Sequence, residues 1–401
     1  MTRAPHALLA LAALAAGTLP APADACENLL RVWAKRQYNV RLVDDGVMTS
    51  AQRAVARTAI GLADLNTSGM RVTRGTEVSK RLPANTRSEL AFVPDIARFC
   101  DEDAAGCVHA WTFAGITYEA DIMMDATEDW DTTLEREEVK DFGGGGTNLL
   151  AALMHELAHG IGLAHEPDEM SVTSTFGTYQ GYSSANRGDY TVSLGSDGSE
   201  CLHLLYGKRT DGLPADDLVA LGFTYLDEGV ASNGERYGVH RPTTVYDAIG
   251  DDTSTGTTTP VLGVEMGIHE VYLRAGARYD VEYTIENSGG TTRDVEARLV
   301  LSTNDTITTA DPILWQGTVR VGRFQARTSS VNVRIPWSLG LGDRAFLGLI
   351  VDPDGAVRET RTDNNATVLR EVLGGRPMSL SDALTAEAVQ VAPLRDPWLL
   401  P

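Results

Sequence analysis

One segment of the 401-residue chain holds the groups needed for hydrolytic metal chemistry: His155-Glu156-Leu157-Ala158-His159-Gly160-Ile161-Gly162-Leu163-Ala164-His165. Histidines four apart share one face of a helix, so the imidazoles of His155 and His159 could bind one Zn2+. Gly162, three residues after His159, can end that helix in a left-handed conformation, because it has no Cβ to clash. The reversal lets His165 supply a third nitrogen. Three protein ligands leave one position of a tetrahedral zinc open to water, which marks a catalytic rather than a structural site. The Glu156 carboxylate, one residue beyond the first ligand, can reach such a water without being a ligand itself. The chemistry predicted is amide hydrolysis by a zinc-activated water. Glu156 acts as general base and then general acid, and no covalent intermediate forms.

The motif must sit on a helix, and the sequence supplies one. Leu149, Leu150, Leu153 and Met154 form an apolar run that begins near Thr147, after the glycine loop Gly143–Gly146. Upstream, Ser50 can cap a helix over Ala51 to Leu65 with Val55, Ala59, Leu62 and Ala63 on one stripe. Strand-like runs follow at Glu89–Val93 and Ile116–Met124. Ser196-Asp197 can cap a third helix closing at Leu205-Tyr206-Gly207. Beyond Gly207 helix signals fade, and the Thr/Gly/Asp stretch Asp251–Thr259 reads as a linker. From Val261 to Leu373 short strands alternate with turns. Val281, Tyr283 and Ile285 interleave with Glu282, Thr284 and Glu286 before the turn Asn287-Ser288-Gly289-Gly290. Val295–Leu301, Val331–Ile335 and Phe346–Val351 repeat the pattern, as in a β-sandwich.

Residues 1–25 have a cationic start (Arg3), an apolar run from Ala7 to Ala16 and the small-residue triplet Ala23-Asp24-Ala25. That is the layout of a secretory signal peptide, too short in its apolar part to anchor the chain. The mature protein is therefore expected to start at Cys26 and to be secreted, with no stable membrane insertion. Four cysteines in an exported chain suggest two disulfides. The short polar loop Asp101–Gly106 favours Cys100 with Cys107, which leaves Cys26 with Cys201. Two other uses of Cys26 stand beside this one. It could carry a lipid anchor, although Ala23-Asp24-Ala25 lacks the usual aliphatic residue, or serve as a thiolate that blocks a metal centre. With 34 basic against 55 acidic residues the net charge is −21, and 43% of the chain is apolar. Such a composition excludes disordered and collagen-like chains, and the acidity disfavours nucleic acid and anionic membranes as partners. Protein or peptide substrates are expected instead.

At these residues the sequence resembles the metzincin zinc endopeptidases, most closely the matrixin branch. Gly146-Thr147-Asn148-Leu149-Leu150 resembles the matrixin lead-in to the zinc helix, and Leu194 to Gly207 is similar to the last helix of that catalytic domain. The resemblance runs from Asn28 to Gly207. It implies a mixed sheet with about three helices, one zinc, and Glu119-Ala120-Asp121-Ile122 as the start of the edge strand to which substrate adds, although Ile122, Met123 and Met124 could equally be ordinary core residues. It also implies a methionine turn eight residues after the third histidine. Thr173 stands there, within Ser171-Val172-Thr173; either the turn is shortened and Met170 fills the role, which is the favoured expectation, or threonine replaces the methionine. No histidine-rich structural zinc site is evident, so His109 and His203 are read as structural. Ca2+ is possible at the acidic loop Asp125–Asp131, with plain solvated charge as the competing reading. Tyr179, Tyr182 and Tyr190 are candidates for polarising a substrate carbonyl.

The C-terminal region resembles the CARDB class of immunoglobulin-like modules. The resemblance rests on Asn287-Ser288-Gly289-Gly290, on Val351-Asp352-Pro353-Asp354-Gly355-Ala356-Val357-Arg358-Glu359 and on Asp363-Asn364-Asn365. It implies a cell-surface or polymer ligand, while Asp352-Pro353-Asp354-Gly355 is explained by a hairpin turn without any ion. The expected class is α+β, a matrixin-like domain followed by an all-β immunoglobulin-like sandwich. The expected layout is a signal peptide at 1–25, the protease domain at 26–208, an irregular linker at 209–260, the sandwich at 261–373 and a tail at 374–401. The function expected is a secreted zinc endopeptidase. The competing expectation is an exported surface- or polymer-binding protein whose metzincin domain is inactive.

Overall fold

The motif helix rests on a mixed sheet laid down by the chain ahead of it. The computed structural model describes residues 26, 32–81, 84–101, 104–132, 147–165, 172–173, 184–186, 189–230, 236–243, 245–247, 270–340 and 342–375. Its first sheet contains β1 (Val32–Trp33), β2 (Gln37–Leu42), β3 (Arg71–Arg74), β4 (Ser88–Val93), β5 (Gly106–Phe113) and β6 (Ile116–Asp125). β2 pairs in parallel with β3 and β4, and β6 pairs in parallel with β4 and β1. β5 pairs antiparallel with β6 and forms the edge. Strand period two then sorts the side chains. Leu90, Phe92, Ala120, Ile122 and Met124 enter the core beneath the helices, whereas Ala91, Val93 and Met123 build a second cluster on the opposite face. The segment from Glu119 to Ile122, expected at an edge, lies inside the sheet, with β5 taking the edge in its place.

Helix α1 (Ser50–Asp64) packs on α2 (Leu149–Gly160), the motif helix. The cap of α1 is Thr49, one residue ahead of Ser50. Its hydroxyl accepts from Gln52 N at 3.2 Å while the Gln52 side chain accepts from Thr49 N at 2.9 Å. Asn148 caps α2 by accepting from Ala151 N at 2.9 Å. Helix α3 (Ser196–Tyr206) has no side-chain cap of its own: Gly195 occupies the cap position, and the Ser196 amide donates to Glu286 at 2.5 Å. The expected cap at Ser196-Asp197 is thus replaced by a carboxylate ninety residues away. Both expected disulfides are present, Cys26–Cys201 and Cys100–Cys107, with Cα separations of 5.4 and 5.9 Å. Cys26 is therefore tied to α3 and holds no thiolate for a metal.

Two short pairs flank the helices: β7 (Trp130–Asp131) with β8 (Thr147–Asn148), and β9 (Ser184–Asn186) with β10 (Asp189–Thr191). The segment expected as an irregular linker carries four strands, β11 (Leu218–Leu221), β12 (Phe223–Val230), β13 (Arg236–Pro242) and β14 (Val245–Asp247). Asp251–Thr259 lies outside the described residues. β12 and β13 form a separate two-stranded sheet, while β11 and β14 join the sandwich with β15 (Glu270–Arg274), β16 (Arg278–Asn287), β17 (Arg293–Ser302), β18 (Ile313–Val321), β19 (Gln325–Arg334), β20 (Arg344–Val351) and β21 (Ala366–Gly375). β11, β14 and β19 all pair with β16, and the other sheet runs β15-β21-β20-β17-β18. Residues 218–221 are apolar and wholly buried, so they bury more surface as a sandwich strand than an exposed linker could. Between β20 and β21, Asp352 accepts from the amides of Ala356 and Val357 at 3.0 and 2.9 Å, so its carboxylate is used by the turn.

The sandwich and the helical half meet in a polar seam. Thr67 Oγ1 donates to Ser288 O at 2.8 Å, Arg293 pairs with Asp216 at 2.6 Å, and the His203 ring lies edge-on to Phe324. Alternation along β16 sends Thr284 and Glu286 outward, yet both are buried. No helix among the described residues is long and apolar enough to cross a membrane.

Burial pushes Asp217 at this seam up to about 7 against the opposing pull of Arg361, and pushes Glu359 up to about 8. Asp121, on the outer face of the first sheet, is raised to about 7 by the same cause. In the unfolded chain these groups ionise near their ordinary 3.8 to 4.5. Their stabilising contribution is full below that range and is lost as pH rises through 7 to 8, because the folded state then binds more protons than the unfolded state. Urea unfolding should show a less stable protein at about pH 8.5 than at about pH 6.5, with a shallower slope in Asp217→Asn and Glu359→Gln. Equal or greater stability at the higher pH would contradict this assignment.

Candidate metal centre

Helix periodicity places His155 and His159 on one face of α2, with ring centroids 4.5 Å apart. The helix then closes in a Schellman turn: Leu163 N donates to Ala158 O at 3.1 Å and Gly162 N to His159 O at 3.0 Å. Gly162 has φ +110°, the left-handed value expected from the sequence. The reversed chain brings the His165 ring to 4.7 Å from His159 and 5.2 Å from His155. One nitrogen from each of the three histidines lies within 4.8 Å of the others, the one such cluster of His, Cys, Asp or Glu among the described residues.

Hydrogen bonding sets which nitrogens face inward. His155 Nδ1 donates to Val172 O at 2.9 Å, and His159 Nδ1 donates to Leu163 O at 2.8 Å. Neutral rings protonated there carry lone pairs on Nε2. Those two Nε2 atoms stand 2.9 Å apart, and His165 Nε2 is 3.2 Å from that of His155. Two lone pairs at that distance repel unless a cation lies between them. Zinc–nitrogen bonds of about 2.0–2.1 Å set tetrahedral ligand nitrogens about 3.3 Å apart, close to what is found here. Burial, reinforced by the two neighbouring imidazoles, holds His155 well below its ordinary pKa, so it stays in the neutral form that ligates a metal. The donor set fits a zinc ion, with His165 exposed on the solvent side.

Glu156 is buried, and its Oε2 atom has no hydrogen-bond partner. Burial alone pushes its pKa up to about 8; a bound cation nearby would favour the charged form. The side chain lies between α2 and the sheet edge. A Cβ on Gly106 of β5 would stand 3.3 Å from Glu156 Cγ and 2.9 Å from Met124 Sδ, so glycine allows the close approach. A buried carboxylate oxygen without a partner is costly, and such exceptions concentrate where chemistry is done.

Three aromatic residues that sequence reasoning missed hold the far end of α2. Trp33 Nε1 donates to Gly160 O at 2.9 Å, and the Tyr206 hydroxyl donates to Ile161 O at 2.6 Å. Both carbonyls belong to a helix terminus, where intrahelical partners run out. Tyr38 donates to Ala120 O at 2.9 Å, which fixes its ring against the face of Gly160. Only Gly160 inside the motif hinted at such a neighbour.

The other expected residues fall variously. Met170, Tyr179 and Tyr182 lie outside the described residues, as does the Tyr190 side chain. Thr173 is fully buried beside Val172, whose carbonyl holds His155. In the acidic loop Asp125 accepts from Thr127 N and Oγ1 at 2.7 and 2.8 Å, a local turn. His109 hydrogen-bonds Phe99 O, and His203 hydrogen-bonds Thr67 Oγ1 at 3.0 Å.

Residues 95–207 match the family model of the matrixin peptidases, and residues 259–368 match that of CARDB. No curated protein matches the chain. Similar solved structures include the crystal structure of a CARDB domain from Pyrococcus furiosus in complex with di-metal ions, 19% identical, covering 26% of this chain and 78% of that one with a TM-score of 0.20. A solution structure of the same domain is 18% identical, covering 26% and 85% with a TM-score of 0.21.

The close packing of α2 can be tested at Gly160. Alanine is the better helix former by about 1 kcal/mol, but its Cβ would stand 2.7 Å from the anchored Tyr38 ring. Overpacking of this kind costs about 1–3 kcal/mol. Gly160→Ala should therefore lower stability in denaturant titration and weaken metal binding; a stabilised variant would show that the Tyr38 ring yields freely.

Proposed function

From a chain that joins a matrixin domain to a CARDB domain, we propose a secreted zinc endopeptidase whose C-terminal sandwich serves a cell-surface or polymer ligand. The observation that carries the reading is the pairing of three converging imidazoles with a buried carboxylate, on the residue after the first of them, whose Oε2 has no hydrogen-bond partner. His155, His159 and His165 would hold the ion. When bound, zinc polarises a substrate carbonyl and makes water acidic enough to attack near neutral pH. Glu156 takes the proton of the attacking water and returns it to the leaving amine. Gly106 leaves room for that carboxylate between helix and sheet. The outer edge of β5, unpaired among the described residues, offers main-chain groups to which an extended peptide can add, which would draw a scissile amide past Glu156.

Zinc analysis of the purified mature chain and cleavage of a denatured protein mixture test this reading. Wild type should hold one zinc and cleave; Glu156→Ala should keep the zinc and lose about 10²–10⁴ in rate. A zinc-free wild type, or equal cleavage by the two, would favour the competing reading of a binding protein with an inactive metzincin domain.

Export is supported by the signal-like residues 1–25 and by the two disulfides, which form and persist outside the reducing cytosol. Sequencing of the secreted protein should give Cys26 as its first residue, with no free thiol. An N-terminus at Met1, or titratable thiols, would contradict export by this route.

A further inference from the structure

The segment between the described hairpin β9–β10 and helix α3 is held by the sandwich. Arg361, almost fully buried and paired with Asp363 through two contacts of 3.0 and 2.9 Å, donates from Nη1 to Val192 O at 2.9 Å. Four residues on, the Ser196 amide donates to the buried Glu286 carboxylate at 2.5 Å. Between these anchors, Leu194 O accepts from Val172 N at 3.1 Å. Val172 O in turn accepts from His155 Nδ1 at 2.9 Å. Val172, Val192 and Leu194 are all buried, so water does not compete for these bonds.

Resting on the zinc reading above, we propose that Arg361 and Glu286 of the β-sandwich are positioning residues for the metal centre. They grip residues 192–196, these fix the Val172 carbonyl, and that carbonyl sets the tautomer and the ring orientation of His155. Partners of this kind orient a ligand histidine, and their loss commonly weakens metal affinity by about 10–100-fold. The sandwich is then part of the catalytic unit as well as an appended binding module. It supplies the hydrogen bonds that hold the segment behind the Val172 carbonyl, in a site whose ligands all come from the other half.

The test uses the full mature chain, stripped of metal and titrated with Co2+, whose visible absorption reports ligand geometry. Arg361→Ala should bind cobalt about tenfold more weakly than wild type with an altered spectrum, and Arg361→Lys should recover part of the loss. Arg298→Ala removes a sandwich arginine that pairs with Glu296 and Asp354 away from the seam, and should bind as wild type does. Unchanged affinity and spectrum in folded Arg361→Ala would overturn the proposal. Should that variant fail to fold, native-state hydrogen exchange on wild type decides. The Val172 and Ser196 amides should open together with the β16 amides of the sandwich. A Val172 amide that exchanges independently of β16 would overturn it. Neither readout uses cleavage, so a chain that binds cobalt and cleaves nothing would sink the peptidase reading alone.

Discussion

Two imidazoles whose Nε2 atoms face each other across 2.9 Å make an arrangement that is unfavourable for neutral rings with no cation between them. It persists because the protons on the opposite nitrogens are committed to Val172 O and Leu163 O. Each of those carbonyls is in turn placed by something else. Leu163 is delivered by the Schellman turn at Gly162, and Val172 is bound through Leu194 to the segment preceding α3. The structure can be followed outward from this repulsion, because each layer keeps the three nitrogens facing a common point where a cation would reverse its sign.

The next layer is packing. α2 lies across a sheet whose inward residues are large and wholly buried, and its last carbonyls are met by Trp33 and Tyr206. Because the Tyr38 ring is pinned to Ala120 O, the helix can approach only where Gly160 has no side chain. The Cys26–Cys201 bridge ties the start of the described chain to α3 across 175 residues, which restricts the unfolded chain strongly. The outermost layer is the sandwich, whose buried polar groups reach into the other half at Thr67, Val192 and Ser196.

What the sequence made legible was local. The spacing from His155 to His165, the turn at Gly162 and the period-two strands of the second half depend on neighbours within one or two turns of chain, and they appear as read. The Cys100–Cys107 pairing was readable for the same reason, with the second bridge following by elimination. What was not legible depended on distant partners. Ser196 looked like a cap, but Glu286 does that work from the sandwich. Glu119 to Ile122 was expected at an edge from the resemblance, and nothing in its own pattern says that β5 will fold back upon it. Residues 218–221 and 245–247 looked like linker because each strand is too short to announce itself without β16 beside it. Of the candidate site, the convergence of His155, His159 and His165 beside Glu156 was readable, while the aromatic residues packed on the end of α2 and the bond from Arg361 to Val192 O were not.

The central claim is that three imidazoles and no other side chain hold one zinc ion, with Glu156 left free to carry a proton. X-ray absorption at the zinc edge of the metal-loaded full chain measures this most directly. A three-imidazole site gives four nitrogen or oxygen neighbours at about 2.0–2.1 Å, three of them imidazoles, and an unchanged imidazole count in Glu156→Ala. A sulfur neighbour at about 2.3 Å, or a spectrum that loses a ligand when Glu156 is removed, would contradict it.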